Sequence, residues 1–424
     1  MKNDSISYYS KSAGPAPARL RFAGDVVTDV CVIGGGYTGL SAALHLAEAG
    51  ARVAVVEAET IGFAASGRNG GQIHTGWRID QRSLERKLGE AHARDLWNLC
   101  EESKALLRER VANYHIDCEL KDGLIHGAHN ARAAAILADD AEYLRLHYNY
   151  TQTRMMNADE TAAQTGTPIY KGGSFDAGGG HLHPLKYARG LADAAEVSGA
   201  TIYEHSPARA VSSARGKVRV QCESGIVLAD YALLACDAFT GALAPSLSKY
   251  IGHLESYIVA TAPLPQALYR AIIPSDAAVA DTRHVLDYYR KSADGRLLFG
   301  GRETYFFPPP DVATLVRPRM LQVFPALADT PIEYGWHGTV GITATRMPHL
   351  GRISDRIFFA YGYSGQGVAL AGLGGKLMAE AALGRPERFD VVARVKPDAF
   401  PGGQMLRKPL INAALFGFKI LDMF

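Results

Sequence analysis

A glycine-rich turn near the N-terminus constrains this chain more than any other feature. A short apolar strand from Asp29 to Ile33 runs directly into Gly34-Gly35-Gly36-Tyr37-Thr38-Gly39. A helix-like stretch from Leu40 to Ala49 and a second apolar strand from Arg52 to Glu57 follow. The pattern G-x-G-x-x-G between a strand and a helix predicts a βαβ unit. Its first glycine permits a tight turn, the second lets the backbone approach a pyrophosphate, and the third lets the helix pack on the strand. The helix N-terminus offers free N–H groups and the positive end of its dipole to phosphates. Glu57 closes the second strand, where a carboxylate accepts hydrogen bonds from ribose hydroxyls and repels a 2′-phosphate. A dinucleotide without that phosphate is therefore expected at Gly34, Gly36, Gly39 and Glu57, and the motif alone does not separate FAD from NAD.

Two later segments bear on that choice. I-G-F-A-A-S-G-R-N-G-G-Q at 61–72 is rich in glycine and small residues, which lets backbone amides lie along a flat ring system. G-Y-S-G-Q-G-V at 362–368 stands between an apolar strand, Arg356 to Ala360, and a helix-like stretch, Val368 to Leu383. It aims a helix N-terminus at something electron-rich, and the N1–C2=O edge of a reduced flavin fits. A strand–helix turn with no ligand is the competing reading of that segment. No second G-x-G-x-x-G follows a strand, because G-L-G-G-K-L at 372–377 lacks the third glycine. One dinucleotide site is expected, which directs electrons to oxygen, a quinone or a redox protein.

At 424 residues the chain exceeds the usual size of one core, so two joined domains are expected. A formal charge of +2 gives no electrostatic footprint for nucleic acid. Five scattered cysteines, Cys31, Cys100, Cys118, Cys222 and Cys236, form no C-x-x-C pair and read as reduced and cytoplasmic. The first 27 residues carry no signal for export or membrane insertion. The apolar tail Leu410 to Phe424 is too short to span a bilayer and is expected to dock on the protein's own surface, an interfacial membrane helix being the alternative. Residues 81–160 read as helices, and 246–340 as an antiparallel sheet with one wet face. Without repeats or linkers, the domains are expected to interleave.

These segments resemble the D-amino-acid/sarcosine oxidase superfamily of FAD-dependent oxidoreductases, and within it the gamma-glutamylputrescine oxidase branch. The more specific pieces are S-Y-Y-x-x-S-A at 7–13, the 61–72 segment, G-G-H-L-H-P at 179–184, L-D-Y-Y-R-K-S-A-D-G-R-L-L-F-G-G at 286–301 and F-P-G-G-Q-M-L-R at 400–407. The resemblance implies an α/β fold in which a Rossmann-type FAD-binding domain interleaves with a substrate domain built on an antiparallel sheet plus helices. The expected division is an arm at 1–27, an FAD domain at 28–80, 161–245 and 341–390, a substrate domain at 81–160 and 246–340, and a tail at 391–424. Noncovalent FAD is implied, with Gly34, Gly36, Tyr37, Thr38 and Gly39 at the pyrophosphate and Glu57 at the ribose. Ser66, Arg68, Asn69, Gly70, Gly71 and Gln72 fall beside the ring, Ala208 by the adenine, and Gly362, Ser364, Gly365, Gln366, Gly367 and Val368 around the pyrimidine end. Gln366 stands where relatives often carry histidine in S-G-H-G, and Cys236-Asp237 departs from a common A-G-A turn.

The implied reaction is oxidation of an amine by hydride transfer to flavin N5, giving an imine, then aldehyde and ammonia, with oxygen reduced to hydrogen peroxide. The implied substrate is gamma-glutamylputrescine or a related N-acylated polyamine. An apolar aromatic pocket would hold the amine uncharged by desolvation. Candidates for it are His74, Tyr257, Tyr289, Arg302, Trp336 and Tyr361, with Tyr288 and Tyr363 also aromatic nearby. Strand alternation forbids Tyr288 and Tyr289 from facing the same site. Arg290, Arg302 and Arg346 are the cations weighed for a substrate carboxylate. His181 and His183, an H-x-H without a third ligand, do not make a metal site. A dehydrogenase of the same fold that feeds a quinone or redox protein, and a flavin-binding protein without turnover, are the competing readings. Oligomeric state is not encoded in these patterns.

Overall fold

The computed structural model describes residues 6–304 and 311–401, with the side chains of 302–304 left out. Two sheets organise them. In the first, the parallel strands Ile357–Tyr361, Gly225–Leu234, Val26–Ile33, Val53–Val56 and Thr201–Tyr203 lie side by side in that order. His349–Ser354 adds an antiparallel edge, and the hairpin Ala208–Ala214 with Lys217–Cys222 extends from Gly225–Leu234. Val53–Val56 is buried at every residue, as expected for a parallel strand covered on both faces.

One face is covered by the helices Tyr37–Glu48, Glu90–Asn113, Pro184–Val197 and Gly367–Ala382, whose alanines and leucines share one core. Gly375 lets two of these helices cross closely, since a Cβ there would strike the Thr38 carbonyl oxygen. The other face buries Phe22, Cys31, Ile33, Leu234, Phe359 and Tyr361.

The second sheet runs Ile332–Ile342, Gly252–Thr261, Leu297–Thr304, Tyr288–Lys291, Ala278–Asp281, Lys121–Gly127, Gly173–His181 and Gln72–Ile73, with Thr153–Met156 paired to Gly173–His181. It is antiparallel except where Ala278–Asp281 meets Lys121–Gly127. The expected wet face is a correction: both faces are covered. Helix Val312–Val323 seals one with Tyr257, Val259, Tyr289 and Phe299. Tyr8, Tyr9, Leu185, Ile258, Leu298 and Trp336 pack on the other, which faces the 61–72 loop.

The expected boundaries shift accordingly. Gly173–His181, assigned to 161–245, belongs to the second sheet, because its register is set by Lys121–Gly127. Helix Glu90–Asn113, assigned to 81–160, packs instead into the first core against Gly367–Ala382. The N-terminal arm is not loose: helix Tyr8–Ser12 sets the Tyr9 ring edge-on to Trp336 at 5.2 Å. The tail Leu410 to Phe424 lies outside the described residues. All five cysteines are free. Among the described residues no helix is long and apolar enough to cross a membrane, and no three His, Cys, Asp or Glu residues gather to hold a metal ion.

Candidate active site

The first glycine turn has the shape of a phosphate cradle. Gly34 sits at φ +113°, and a Cβ there would lie 2.6 Å from the Ala235 carbonyl oxygen. A Cβ on Gly36, at the mouth of helix Tyr37–Glu48, would lie 2.8 Å from Ser66 Oγ, and one on Gly39 would run into the Gly34 carbonyl oxygen. The side chains of Tyr37 and Thr38 turn inward. Tyr37 donates to the Pro184 carbonyl at 3.0 Å, and the Thr38 hydroxyl shares a 2.9 Å hydrogen bond with Tyr363. Neither side chain is left to meet a phosphate at this turn.

Glu57 lies against this turn, its two oxygens accepting from the backbone N–H of Gly35 at 2.5 Å and of Glu59 at 2.9 Å. Burial raises its pKa, and those two N–H groups pull the other way. Ser206 N donates to the Glu57 carbonyl at 2.7 Å, which carries Ala208 to the same strand end.

The 61–72 loop joins the two sheets. Ser66 Oγ accepts from Tyr37 N at 3.1 Å, and the Arg68 carbonyl accepts from Trp336 Nε1 at 3.0 Å. Arg68 Nε donates to the His337 carbonyl at 2.7 Å. Asn69 pins its own turn, donating to Ala65 O at 2.9 Å and accepting from Gly71 N at 2.7 Å. The Gly70 carbonyl accepts from Arg290 Nε at 2.9 Å, and Gln72 Nε2 reaches the Val279 carbonyl at 2.8 Å. Arg68 and Gln72 thus tie the loop to the second sheet, while Asn69 holds the loop's own turn. Gly70 and Gly71 allow that close approach, a Cβ on Gly70 falling 2.8 Å from the Tyr288 ring.

The second glycine turn is anchored by a residue to which the sequence assigns no duty. Asp237, at φ +41°, accepts from Gly362 N at 2.8 Å and from Gly341 N at 3.0 Å, tying the turn to the edge strand of the second sheet. Gly362, Ser364 and Gly365 all have positive φ. Gly367 opens the helix behind Gln366, and Val368 is buried. Gln366 Oε1 and, on the neighbouring loop, Thr345 Oγ1 are buried without a hydrogen-bond partner among the described residues. A polar-edged ligand at this turn would meet both, and the side-chain-free cradle at Gly34 and Gly36 would receive a pyrophosphate. The residues fit a flavin dinucleotide.

The inner face of the second sheet is crossed by one unbroken register row: Trp336, Ile258, Gly300, Tyr288, Ala280, His126 and Ser174. Directly paired residues share a face, and Tyr288 places this face against Gly70 of the loop. Trp336 is therefore on the loop side. Tyr257 and Tyr289 are corrections: both lie on the opposite face, Tyr289 stacked on Phe299 at 5.5 Å and hydrogen-bonded to Tyr170 at 3.0 Å. Tyr361 is a correction too, buried behind the first sheet with its hydroxyl 2.5 Å from His349 Nδ1. Arg290 spends its donors on Gly70 O, Lys291 O and Tyr9. Arg302 pairs with Tyr257 along the backbone, and its side chain lies outside the described residues.

His74 comes two residues after the loop, its ring 5.8 Å from that of His126. His126 and Ser256, whose hydroxyl meets Tyr288 at 3.0 Å, were missed in the sequence. The one sequence signal for His126 was its parity within Leu124-Ile125-His126-Gly127.

Residues 29–381 match the family described as DAO, FAD dependent oxidoreductase. The chain belongs to that family. This oxidoreductase is 39% identical over 423 residues to gamma-glutamylputrescine oxidoreductase of Escherichia coli (strain K12), covering 99% of each chain. It is 38% identical to a probable oxidoreductase OrdL of Haemophilus influenzae, covering 93% of this chain and 92% of that one. The crystal structure of glycine oxidase from Geobacillus kaustophilus superposes with a TM-score of 0.73 at 22% identity, covering 85% of this chain and 95% of that one, and so shares the fold.

Proposed function

We propose that the oxidoreductase binds FAD noncovalently and oxidises the terminal amine of gamma-glutamylputrescine or a closely related N-acylated polyamine. End-to-end similarity to the Escherichia coli gamma-glutamylputrescine oxidoreductase carries the choice of substrate. The pyrophosphate would rest at the Gly34–Gly36 turn and the N-terminus of helix Tyr37–Glu48, with Glu57 at the ribose and Ala208 beside the adenine. The ring would lie along the 66–72 backbone, its pyrimidine edge at Gln366 and the Gly367 helix end. The flavin, when bound, supplies a two-electron acceptor to which an α-hydrogen passes as hydride.

The chain's own part is placement and exclusion of water. The row from Trp336 to His126 forms the wall opposite the ring, and Tyr9, Tyr288 and Trp336 keep it apolar and largely dry. Such a wall disfavours the ammonium form, so the amine is presented with its lone pair free. R–CH2–NH2 then loses two electrons and two protons to become R–CH=NH, and water converts this to aldehyde and ammonia. Oxygen takes the two electrons and two protons, giving hydrogen peroxide. The free cysteines and the absence of a membrane-crossing helix among the described residues are compatible with work in the cytoplasm. Anaerobic mixing of the yellow protein with gamma-glutamylputrescine should bleach the flavin, and air should restore it with peroxide release. Bleaching by free amino acids but not by this amine would refute the substrate. Bleaching that only a quinone reverses would refute the acceptor.

A further inference from the structure

His74 and His126 form a pair that the fold does not use for itself. Their ring centroids are 5.8 Å apart and their planes 46° apart. Neither imidazole has a hydrogen-bond partner among the described residues. A structural histidine would normally bond a backbone carbonyl or a carboxylate. His181, by contrast, meets the Asp276 carbonyl at 2.9 Å, and His183 meets Ser12 at 2.9 Å. Both free rings remain only half-buried, so they border open space.

That space is on the reacting side. His126 belongs to the inner row, beside Ala280 and Tyr288, and His74 follows the loop proposed to carry the ring. The surrounding charges are few. Arg78 acts on both rings and Asp176 on His126. Asp176 is itself occupied by Thr75 at 2.5 Å, Tyr150 at 2.5 Å and Gly178 N at 2.9 Å, with Lys104 behind Thr75 at 2.7 Å. Burial lowers the pKa of both rings, that of His74 to about 3, so each offers a lone pair rather than a charge. No third metal-ligating side chain joins them among the described residues.

We infer that His74 and His126 are the nitrogen subsite for the substrate, each accepting one N–H of an uncharged primary amine. This rests on the amine reading above and deepens it. An uncharged primary amine has two N–H groups, matching two acceptors, and keeps its lone pair for the reaction. A secondary amine fills one acceptor and a tertiary amine neither. The pair therefore specifies primary amines and holds the α-carbon in one orientation.

The test uses FAD-loaded enzyme under anaerobic stopped flow with gamma-glutamylputrescine and its N-methyl and N,N-dimethyl derivatives. Wild type should bind them in the order primary, secondary, tertiary. His74→Leu and His126→Leu should each weaken the primary amine about tenfold, the loss of one hydrogen bond. They should also narrow its advantage over the N-methyl amine and leave flavin absorbance and melting temperature unchanged. His126→Asn, which keeps an acceptor and a polar surface, should recover part of the loss. Unchanged affinities in both Leu variants, or equal losses for all three amines, overturn the assignment while leaving amine oxidation standing. Failure of all three amines to reduce wild-type flavin overturns the amine reading and the subsite with it.

Discussion

Removing the Asp237 carboxylate should loosen the flavin turn by an amount the structure lets us work out. In Asp237→Ala the backbone N–H groups of Gly362 and Gly341 lose their acceptors, which sit at 2.8 and 3.0 Å. Each unsatisfied donor costs about 1–3 kcal/mol, and alanine at φ +41° adds about 1 kcal/mol of strain that aspartate tolerates better. A total of about 3–7 kcal/mol follows. At roughly 2.1 cal/mol/K of unfolding entropy per residue, a chain of this length loses about 1 °C of Tm per kcal/mol. Asp237→Ala should therefore melt about 3–8 °C below wild type, and Asp237→Asn, which keeps one acceptor, about half as far. FAD should wash out of the alanine variant faster on ultrafiltration, because the turn holding Gln366 is no longer tied to the second sheet. A melting point within 1 °C of wild type together with unchanged FAD retention would refute this account of the residue.

Gly36→Val should give folded but colourless protein, its side chain filling the proposed pyrophosphate space beside Ser66, whereas Gly39→Ala, whose Cβ meets backbone, should also lower the melting point; absorbance at flavin wavelengths and a thermal melt separate the two. Trp336→Phe deletes the hydrogen bond to the Arg68 carbonyl in a fully buried setting and should cost about 1–3 kcal/mol in urea titration. Burial holds His181 and His183 at a pKa of about 3 and His349 at about 4, below the 6.5 of an unfolded chain. The unfolded state therefore gains protons first, and stability should fall as pH drops from 6.5 toward 4, by up to about 1.4 kcal/mol per pH unit for each ring. His349→Phe should flatten that slope in urea titrations at pH 7, 6 and 5.

The first glycine turn was legible because a turn between strand and helix is a local matter of backbone space. Gly34, Gly36 and Gly39 say as much in one dimension as in three. The proposed substrate wall was not legible, since it depends on pairing between strands far apart in the chain. Sequence parity established that only one of Tyr288 and Tyr289 faces inward, but the register through Gly300 and Ala280 decides for Tyr288. His126 joins that wall only through its partners Ala280 and Ser174. Arg68, Asn69 and Gln72 looked like ligand contacts because they are polar and lie in a glycine loop. Arg68 and Gln72 also bond the second sheet and Asn69 its own turn, uses that become visible once the two sheets are brought together.

The order in which the chain visits its two sheets has a consequence for biosynthesis. Strands alternate from the first sheet to the second and back, so neither sheet is assembled from one continuous stretch. The N-terminal half of the flavin cradle emerges with Gly39, but the helix that opens at Gly367 follows hundreds of residues later. At roughly 5–20 residues per second, that gap lasts some tens of seconds on the ribosome. A nascent chain thus exposes an unfinished cradle until Gly367 has emerged, and pigment capture at the proposed site would have to wait for it.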